Sequence, residues 1–202
     1  MKYSIIGSGK IGTALARLFA RKNIEVAIAN SRGPQTLASL SQELGRCVVP
    51  QSIEDAYKAE VVFLAVPFSA HRDVAERFGR WNGKIVVDVT NTLDLSPQET
   101  ERLGGEFSTE AVSKAFVGAR VVKAFNHLPS QQLGTNPTLE GQRQAIFVSS
   151  NDADASAIVA ALATQLGFSP IELGRLDQGG AAIHTLGARP GGLLFQNLIK
   201  LG

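Results

Sequence analysis

The sequence predicts an α/β fold in which a doubly wound, mostly parallel sheet carries helices on both faces. Short β-branched or apolar runs alternate along the chain with longer amphipathic or alanine- and leucine-rich segments. Several of the apolar runs are continuous, which is the pattern of strands that helices cover on both sides. The 202 residues, 44% of them hydrophobic, suffice for one sizeable core. We therefore expect a single domain over residues 1–202.

The predicted elements follow one another in a repeating strand and helix order. The predicted strands are residues 3–6, 25–29, 48–49, 61–66, 85–89, 120–124, 145–149 and, with a weaker pattern, 170–173. The predicted helices are residues 11–21, 34–44, 69–78, 110–117 and 152–166. Ser150, Asn151 and Asp152 offer N-cap oxygens to the last of these helices, and Gly167 fits its end. Residues 193–201 are predicted either as a closing helix or as an extended segment.

The balance of charge argues against several classes of partner. The 20 basic and 18 acidic residues are spread along the whole length, so we expect no nucleic-acid-binding or membrane-binding surface. The first apolar run is too short for a signal peptide or a spanning helix, and we expect a cytoplasmic protein. Cys47 has no second cysteine to pair with and is predicted to be a buried, inert thiol. The histidines lack metal-ligand spacing, so no metal site is predicted.

A glycine-rich turn with the spacing G-x-G-x-x-G joins the first strand to the first helix. Gly7 permits the tight turn, Gly9 lets the backbone approach a pyrophosphate, and Gly12 lets the helix pack closely on the strand. Free N–H groups at the start of such a helix bind phosphate. The intervening cofactor-binding candidates are Ser8, Lys10 and Ile11. The sequence therefore predicts a dinucleotide site on a Rossmann-type fold.

The end of the second strand indicates which dinucleotide binds. NAD-binding proteins of this fold usually carry Asp or Glu there, to accept hydrogen bonds from the ribose hydroxyls. This chain has Asn30, Ser31 and Arg32 instead. Ser31 can donate a hydrogen bond to a 2′-phosphate, and Arg32 can pair with it and stack on adenine. NADP is therefore the predicted cofactor, although Arg32 and Lys10 could also be solvated surface cations.

The loops after the fourth, fifth and sixth predicted strands should face the nicotinamide. Pro67 and Phe68 are predicted to wall its pocket, and Asn91 and Asn126 to position rings or the carboxamide through hydrogen bonds. Strand-end turns are the alternative interpretation, because Asn and Pro are common in them. The cofactor-binding candidates in these loops are Ala65, Val66, Pro67, Asn91, Ala124 and Asn126.

At these positions the chain resembles a known family, the NADPH-dependent deazaflavin (coenzyme F420) reductases, together with the related reductase domain of STEAP-type ferric reductases. The glycine turn, residues 30–32, 65–67 and 121–126, and Asn91 carry the resemblance. It covers roughly residues 1–150, which we expect to form the NADP-binding core, while residues 151–202 form a C-terminal helix, strand and tail that cover the active site. The resemblance implies hydride transfer between C4 of NADPH and a flavin or deazaflavin, a small-molecule acceptor stacked on the nicotinamide.

Two other functions remain open. A small carbonyl or imine reductase using NADPH would need a proton donor, and His127 or His184 could supply it. Asn126 completes the set of catalytic candidates, whereas His71 is expected to be structural or close to a ribose. The third hypothesis is a non-enzymatic, NADP-responsive binding protein. The apolar residues 193–199 also predict a homodimer, unless they dock as a terminal helix on their own sheet.

Overall fold

The computed structural model describes residues 1–92, 95–96, 98, 103, 106–139, 142–182 and 199–200. The strands within these ranges form one sheet of ten strands. They are β1 (Tyr3–Ile6), β2 (Val26–Ala29), β3 (Val48–Pro50), β4 (Val61–Leu64), β5 (Ile85–Asp88), β6 (Arg120–Ala124), β7 (Thr138–Leu139), β8 (Gln142–Ser150), β9 (Ser169–Glu172) and β10 (Ile199–Lys200).

The order of the strands is that of a Rossmann fold. In space the sheet reads β10-β8-β6-β5-β4-β1-β2-β3, and β7 and β9 also pair with β8. The six neighbouring strands β3, β2, β1, β4, β5 and β6 are parallel to one another. In contrast, β8 runs antiparallel to β6 and parallel to β9. The predicted doubly wound, mostly parallel sheet is thus confirmed, and its β3-β2-β1-β4-β5-β6 portion has the order typical of dinucleotide-binding proteins.

Helices connect the parallel strands. They are α1 (Lys10–Arg21), α2 (Ala38–Leu44), α3 (Ile53–Ala56), α4 (His71–Phe78), α5 (Ser108–Ala115), α6 (Ser130–Leu133) and α7 (Ala153–Gln165). A 3₁₀ turn precedes α2 at Pro34–Leu37 and α4 at Phe68–Ala70. Of the three N-cap candidates, Asp152 caps α7, because its Oδ1 accepts a hydrogen bond of 2.8 Å from the N–H of Ala155.

Two apolar cores lie on opposite faces of the sheet. On one face, Leu15 and Phe19 of α1 pack in the same cluster as Val159 of α7. On the other face, Val74 of α4 and Val112 of α5 belong to a second cluster. Successive residues of a strand point to opposite faces, so a sheet covered on both sides needs the continuous apolar strands that the sequence shows.

Several sequence predictions need adjustment. The strand predicted over 61–66 ends at Leu64, and that predicted over 145–149 extends over Gln142–Ser150. Cys47 precedes β3 and is half-buried rather than buried, since it lies at a turn outside the strand. Of the segment 193–201, residues 199–200 form the strand β10 against β8. The other residues of that segment, and the homodimer predicted from it, lie outside the described residues.

Candidate cofactor-binding site

The candidate site lies where the carboxyl ends of β1 and β4 meet. From β1 the chain crosses to β2 on one side, whereas β4 begins the half of the sheet on the other side. In open α/β sheets, ligands bind in the crevice outside such a switch point. The loops after β1, β2, β4, β5 and β6 all emerge at this edge, because these strands are parallel. The residues singled out from the sequence lie in those loops.

Each glycine of the phosphate turn meets a different constraint. Gly7 has a φ of +113°, and a Cβ there would lie 2.2 Å from the carbonyl oxygen of Ala65. A Cβ on Gly12 would lie 1.9 Å from the carbonyl oxygen of Gly7, so only glycine lets α1 pack this closely on β1. Gly9 faces open space, with nothing within 4 Å of a Cβ placed on it. A pyrophosphate can therefore approach the backbone at Gly9, as predicted for this motif.

The first turn of α1 is suited to an anion. Gly9 caps the helix with an extended backbone, no side chain accepts a hydrogen bond at this end, and the first turn carries no acidic residue. The first N–H groups of a helix lack intrahelical partners and carry partial positive charge. Ser8, Gly9 and Lys10 line an open groove of about 780 Å³ at this end. Ile11 is half-buried against the core of this face and positions the turn.

The loop after β2 is shaped by Asn30. Its Nδ2 donates to Ser8 Oγ at 2.9 Å and to Thr36 Oγ1 at 3.0 Å, and its Oδ1 accepts from the N–H of Arg32 at 2.9 Å. The loop is thereby tied to the phosphate turn. The side chains of Ser31 and Arg32 are exposed. Asn30 thus organises the loop, while Ser31 and Arg32 remain accessible to a ligand.

Asn91 and Asn126 join the ends of β5 and β6. Asn91 Nδ2 donates to the backbone carbonyl of Asn126 at 2.7 Å, and Asn126 Nδ2 donates to Asn91 Oδ1 at 3.2 Å. The backbone carbonyl can only accept, so it fixes the orientation of the Asn91 amide, which in turn fixes that of Asn126. Asn126 Oδ1 is left buried without a hydrogen-bond partner. A ligand group that contacts this oxygen must therefore donate the hydrogen bond.

A buried ion pair lies beneath these amides and was missed by sequence reasoning. Lys123 Nζ lies 3.0 Å from Asp88 Oδ2 and donates to the carbonyl of Thr90 at 2.5 Å, and both charged side chains are 0% exposed. Asp88 Oδ1 accepts from the N–H and Oγ1 of Thr90. Burial lowers the pKa of Lys123, and the neighbouring Asp88 carboxylate opposes that effect. The sequence signal that could have revealed this pair is a charged residue within each of two apolar strands, Asp88 in β5 and Lys123 in β6.

The backbone between Ala124 and Asn126 takes an unusual conformation. Phe125 has a φ of +61°, which is costly for a residue with a bulky side chain. Its ring is fully buried and contacts the rings of Phe63 and Phe168, with centroids 5.8 and 5.9 Å away. Packing of the aromatic ring holds this conformation, and the turn it produces carries Asn126 out of the strand.

The remaining candidates in these loops fall in different surroundings. Pro67 is exposed at the rim, whereas Phe68 is buried in the core against the ring of His71, with the centroids 4.4 Å apart, and is not a free wall of the pocket. Ala65 and Val66 are half-buried, and Ala124 is fully buried at the end of β6.

The two described histidines are buried. His127 lies against Phe147, and its Nε2 is 3.3 Å from the carbonyl of Ala145 in β8. Burial lowers the pKa of His127 to about 4, so the ring is neutral near pH 7. His71 begins α4 and places Nδ1 2.5 Å from the carbonyl of Phe68, a structural contact. His184 lies outside the described residues.

The class of the protein that this fold defines is a Rossmann-type α/β protein, and a glycine turn of the kind that binds dinucleotides lies at the switch point of its sheet. Two observations fit such a ligand, the open space at Gly9 and the unpaired acceptor of Asn126. Residues 2–92 match the family model described as NADP oxidoreductase, coenzyme F420-dependent. This part of the chain, somewhat less than half of its length, is thus similar to a family of NADP-dependent oxidoreductases.

Known proteins resemble the chain to different extents. A hypothetical protein from Sinorhizobium meliloti has a crystal structure with 41% identity and a TM-score of 0.88, covering 100% of this chain and 96% of that one. A protein from Arthrobacter sp. FB24, provisionally described as an F420-dependent NADP-reductase, has 28% identity and a TM-score of 0.73, covering 96% and 94%. An imine reductase from Aspergillus terreus, with 22% identity and a TM-score of 0.62 over 92% of this chain and 58% of that one, shares the fold alone.

Curated relatives include a metalloreductase. Metalloreductase STEAP3 of Rattus norvegicus is 31% identical over 176 residues, which is 87% of this chain and 34% of the relative. The chain thus spans about a third of the length of this metalloreductase and of the related metalloreductases STEAP2 of Homo sapiens and Mus musculus. Across the described ranges we find no helix with the length and hydrophobicity that a membrane crossing requires.

Proposed function

We propose that the protein transfers hydride between NADPH and a flavin or deazaflavin acceptor. The observation that carries this proposal is the pairing of two features at one edge of the sheet. An uncapped helix start with open space at Gly9 lies at the phosphate end. Beyond it, the ends of β5 and β6 present amide side chains, with the unpaired acceptor of Asn126. The provisional description of the Arthrobacter protein as an F420-dependent NADP-reductase adds support for the deazaflavin.

In the proposed complex, backbone N–H groups of residues 8–12 bind the pyrophosphate. Gly7 and Gly12 shape the turn, Lys10 adds positive charge, and Ser31 and Arg32 bind the 2′-phosphate. Asn30 acts by fixing the loop that carries them. NADPH, once bound, supplies the hydride at C4 of its nicotinamide ring. The residues of the chain bind NADPH, orient its nicotinamide ring and exclude water from it.

At the other end, Asn126 is proposed to accept a hydrogen bond from the N–H of the nicotinamide carboxamide. Ala65, Val66 and Pro67 would border the ring, and Asn91 keeps Asn126 in the accepting orientation. A hydrogen bond between neutral groups contributes about 1 kcal/mol. This contact would therefore favour one face and one orientation of the nicotinamide rather than provide most of the affinity.

The side chains near the site favour a ring acceptor over a carbonyl or imine. Reduction of a carbonyl leaves an oxygen that must receive a proton from a nearby acid. His127 is neutral near pH 7, because its pKa is about 4, and its Nε2 faces the carbonyl of Ala145. Lys123 is engaged by Asp88 and Thr90. Hydride transfer between two stacked rings needs mainly positioning, which fits this set of groups.

The direct test mixes the purified protein with NADPH and, separately, with riboflavin, FMN, FAD and coenzyme F420, and follows NADPH absorbance. We expect accelerated oxidation with at least one of them. If none accelerates oxidation although NADPH binds, the proposed reaction is wrong. An NADPH-sensitive interaction with a protein partner would then favour the non-enzymatic hypothesis.

The proposed role of Asn126 is tested with the 3-acetylpyridine analogue of NADPH, in which a methyl group replaces the donating N–H₂. The wild-type protein should bind NADPH several-fold, at most about tenfold, more tightly than the analogue. Asn126→Leu should lose that preference, and Asn82→Leu, a change of an exposed residue near the opposite edge of the sheet, should keep it. Equal preference in the wild type and Asn126→Leu would exclude this contact.

The homodimer and the cytoplasmic location remain predictions. Sizing the protein with and without residues 190–202 tests the first, because the apolar segment lies there. Loss of a dimer on truncation would support the prediction, and a monomeric full-length chain would contradict it.

A further inference from the structure

Thr90 connects the buried ion pair to the amide side chains of Asn91 and Asn126. Asp88 Oδ1 accepts hydrogen bonds from the N–H of Thr90 at 2.9 Å and from its Oγ1 at 2.7 Å. Lys123 Nζ donates to the carbonyl of Thr90 at 2.5 Å. Thr90 is itself 3% exposed. The peptide group that joins Thr90 to Asn91 is therefore fixed by the ion pair.

The ion pair also lies close to Asn126 along the chain. Lys123 of β6 is the register partner of Asp88 of β5, and it precedes Asn126 by three residues. Both charged side chains point to the face of the sheet that bears Val86 and Val121, because residues two apart in a strand share a face. Lys123 Nζ lies 3.0 Å from Asp88 Oδ2 and thereby joins the end of β6 to the loop that follows β5.

Stability alone does not account for this buried pair. Moving two charges from water into the protein interior is costly, and replacing a buried ion pair by apolar residues of similar size is often neutral or stabilising. An apolar pair would fill the same space, but it offers neither a donor to the Thr90 carbonyl nor an acceptor to the Thr90 N–H. What the charged pair provides beyond packing is a fixed position of the Thr90 peptide.

The position of this peptide affects Asn126 through Asn91. Asn91 Nδ2 donates to the backbone carbonyl of Asn126, and Asn91 Oδ1 accepts from Asn126 Nδ2. Hydrogen bonds weaken steeply when donor and acceptor move out of line. Displacement of the Thr90 peptide therefore frees the Asn126 amide to turn over, and its Oδ1 is then no longer the atom that meets a ligand.

We propose that Lys123 is a positioning residue for the nicotinamide end of the site. It holds the Thr90 carbonyl, which places Asn91, and Asn91 keeps Asn126 Oδ1 presented as an acceptor. Asp88, Thr90 and Lys123 together form what we call the Thr90 clamp. Both charged side chains are 0% exposed, so neither touches a ligand. The inference deepens the proposed function and rests on it for the contact between Asn126 and the nicotinamide carboxamide.

The first test measures the two amides in the free protein. In isotope-labelled protein, the side-chain N–H₂ signals of Asn91 and Asn126 report hydrogen exchange with water, and substitution of each asparagine assigns them. The decisive variant is Asp88→Leu/Lys123→Met, because it removes the clamp without leaving an unpaired buried charge. Its two amides should exchange about fivefold faster than those of the wild type, as expected for the loss of one hydrogen bond. Exchange at the wild-type rate would overturn the proposal.

The second test measures what the Thr90 clamp does for a ligand. Calorimetry gives the Kd for NADPH, for its 3-acetylpyridine analogue and for NADH. The double variant should lose the several-fold preference for NADPH over the analogue, while the Kd of the analogue stays within about twofold of the wild type. Its preference for NADPH over NADH should remain, because we assign that preference to Ser31 and Arg32. A general loss of structure would instead weaken the binding of all three ligands.

The matched control is Leu162→Ala. Leu162 lies in α7, in the core on the opposite face of the sheet, and it is 2% exposed. Removing its buried methyl groups lowers stability through a cavity and leaves the Thr90 clamp in place. The control should keep the wild-type exchange rates and the preference for NADPH over the analogue. Equal changes in the control and the double variant would overturn the proposal.

The two tests separate this inference from the proposed function, and neither requires turnover. Faster exchange in the double variant, with a wild type that binds NADPH and the analogue equally, would support the Thr90 clamp and contradict the contact of Asn126 with the nicotinamide. A wild-type preference for NADPH that the double variant keeps would support that contact and contradict the clamp. Loss of the preference in the variant, with no NADPH oxidation by any acceptor in the wild type, would support the clamp and contradict the reaction.

Discussion

His127 predicts a measurable loss of stability in mild acid. Its ring is buried against Phe147 and Ala145, and burial lowers its pKa from 6.5 to about 4. In the unfolded chain the imidazole gains a proton as the pH falls through about 6.5, whereas in the folded protein it does so only near pH 4. The contribution of His127 is therefore complete above about pH 6.5 and decreases as the pH falls toward 4.

The size of this loss follows from the difference between the two pKa values. Proton linkage gives about 1.5 kcal/mol lost near pH 5.5 and about 2.5 kcal/mol lost near pH 4.5, relative to pH 7.5. A domain of this kind has only about 5–15 kcal/mol of stability. A change of this size therefore shifts a urea midpoint clearly.

The assay is urea unfolding of the wild type and of His127→Leu at about pH 7.5, 5.5 and 4.5. The variant removes this titration and leaves every other ionisable side chain of the protein in place. The wild-type free energy of unfolding, minus that of the variant, should fall by the amounts given above as the pH falls. A difference that stays constant within about 0.5 kcal/mol would mean that His127 is accessible to protons in the folded protein, contrary to its burial.

Three further predictions concern the site. Gly9→Ala should keep the Tm, because its Cβ meets only open space, and should weaken NADPH binding, because that space is where we propose the pyrophosphate lies. Gly12→Ala should lower stability by about 2 kcal/mol, because it forces a Cβ toward the carbonyl of Gly7. Equal shifts of the Tm in the two variants would contradict this prediction. Asp88→Leu or Lys123→Met alone should cost about 3–5 kcal/mol in urea unfolding, and the double variant Asp88→Leu/Lys123→Met should cost less than either; a double variant whose cost equals the sum of the two would refute the coupling. Arg32→Ala should raise the Kd for NADPH about tenfold and leave that for NADH unchanged, as calorimetry can measure; a parallel loss for both would remove the 2′-phosphate contact.

The fold and the glycine turn could be predicted because their signals are local. The spacing of Gly7, Gly9 and Gly12 reflects contacts within one strand, turn and helix, and continuous apolar strands indicate cover on both faces. The arrangement at the ends of β5 and β6 depends on pairs of residues that are distant in sequence. Asp88 and Lys123 are partners only because β5 and β6 are neighbours in register.

His127 shows why the catalytic candidates were harder to predict. Its position after β6 suggested the pocket, but its side chain lies against β8, which runs antiparallel and whose register no local pattern indicates. Likewise, the positive φ of Phe125 is not encoded by glycine or asparagine and depends on rings from distant parts of the chain, Phe63 and Phe168. Tertiary packing, not local preference, determines the backbone here.

The one-way chain of hydrogen bonds from the backbone of Asn126 has a consequence for redesign. A peptide carbonyl cannot reverse its role, so the Asn126 side chain, which we propose to meet the ligand, keeps its polarity as long as Asn91 is an amide. To make the Asn126 side chain a donor toward the ligand, one must replace Asn91, which contacts Asn126 rather than the ligand. Exchanging it for a residue that only donates would release the Asn126 amide to turn over. A substitution at Asn91 would then change the Asn126 side chain from a hydrogen-bond acceptor to a donor.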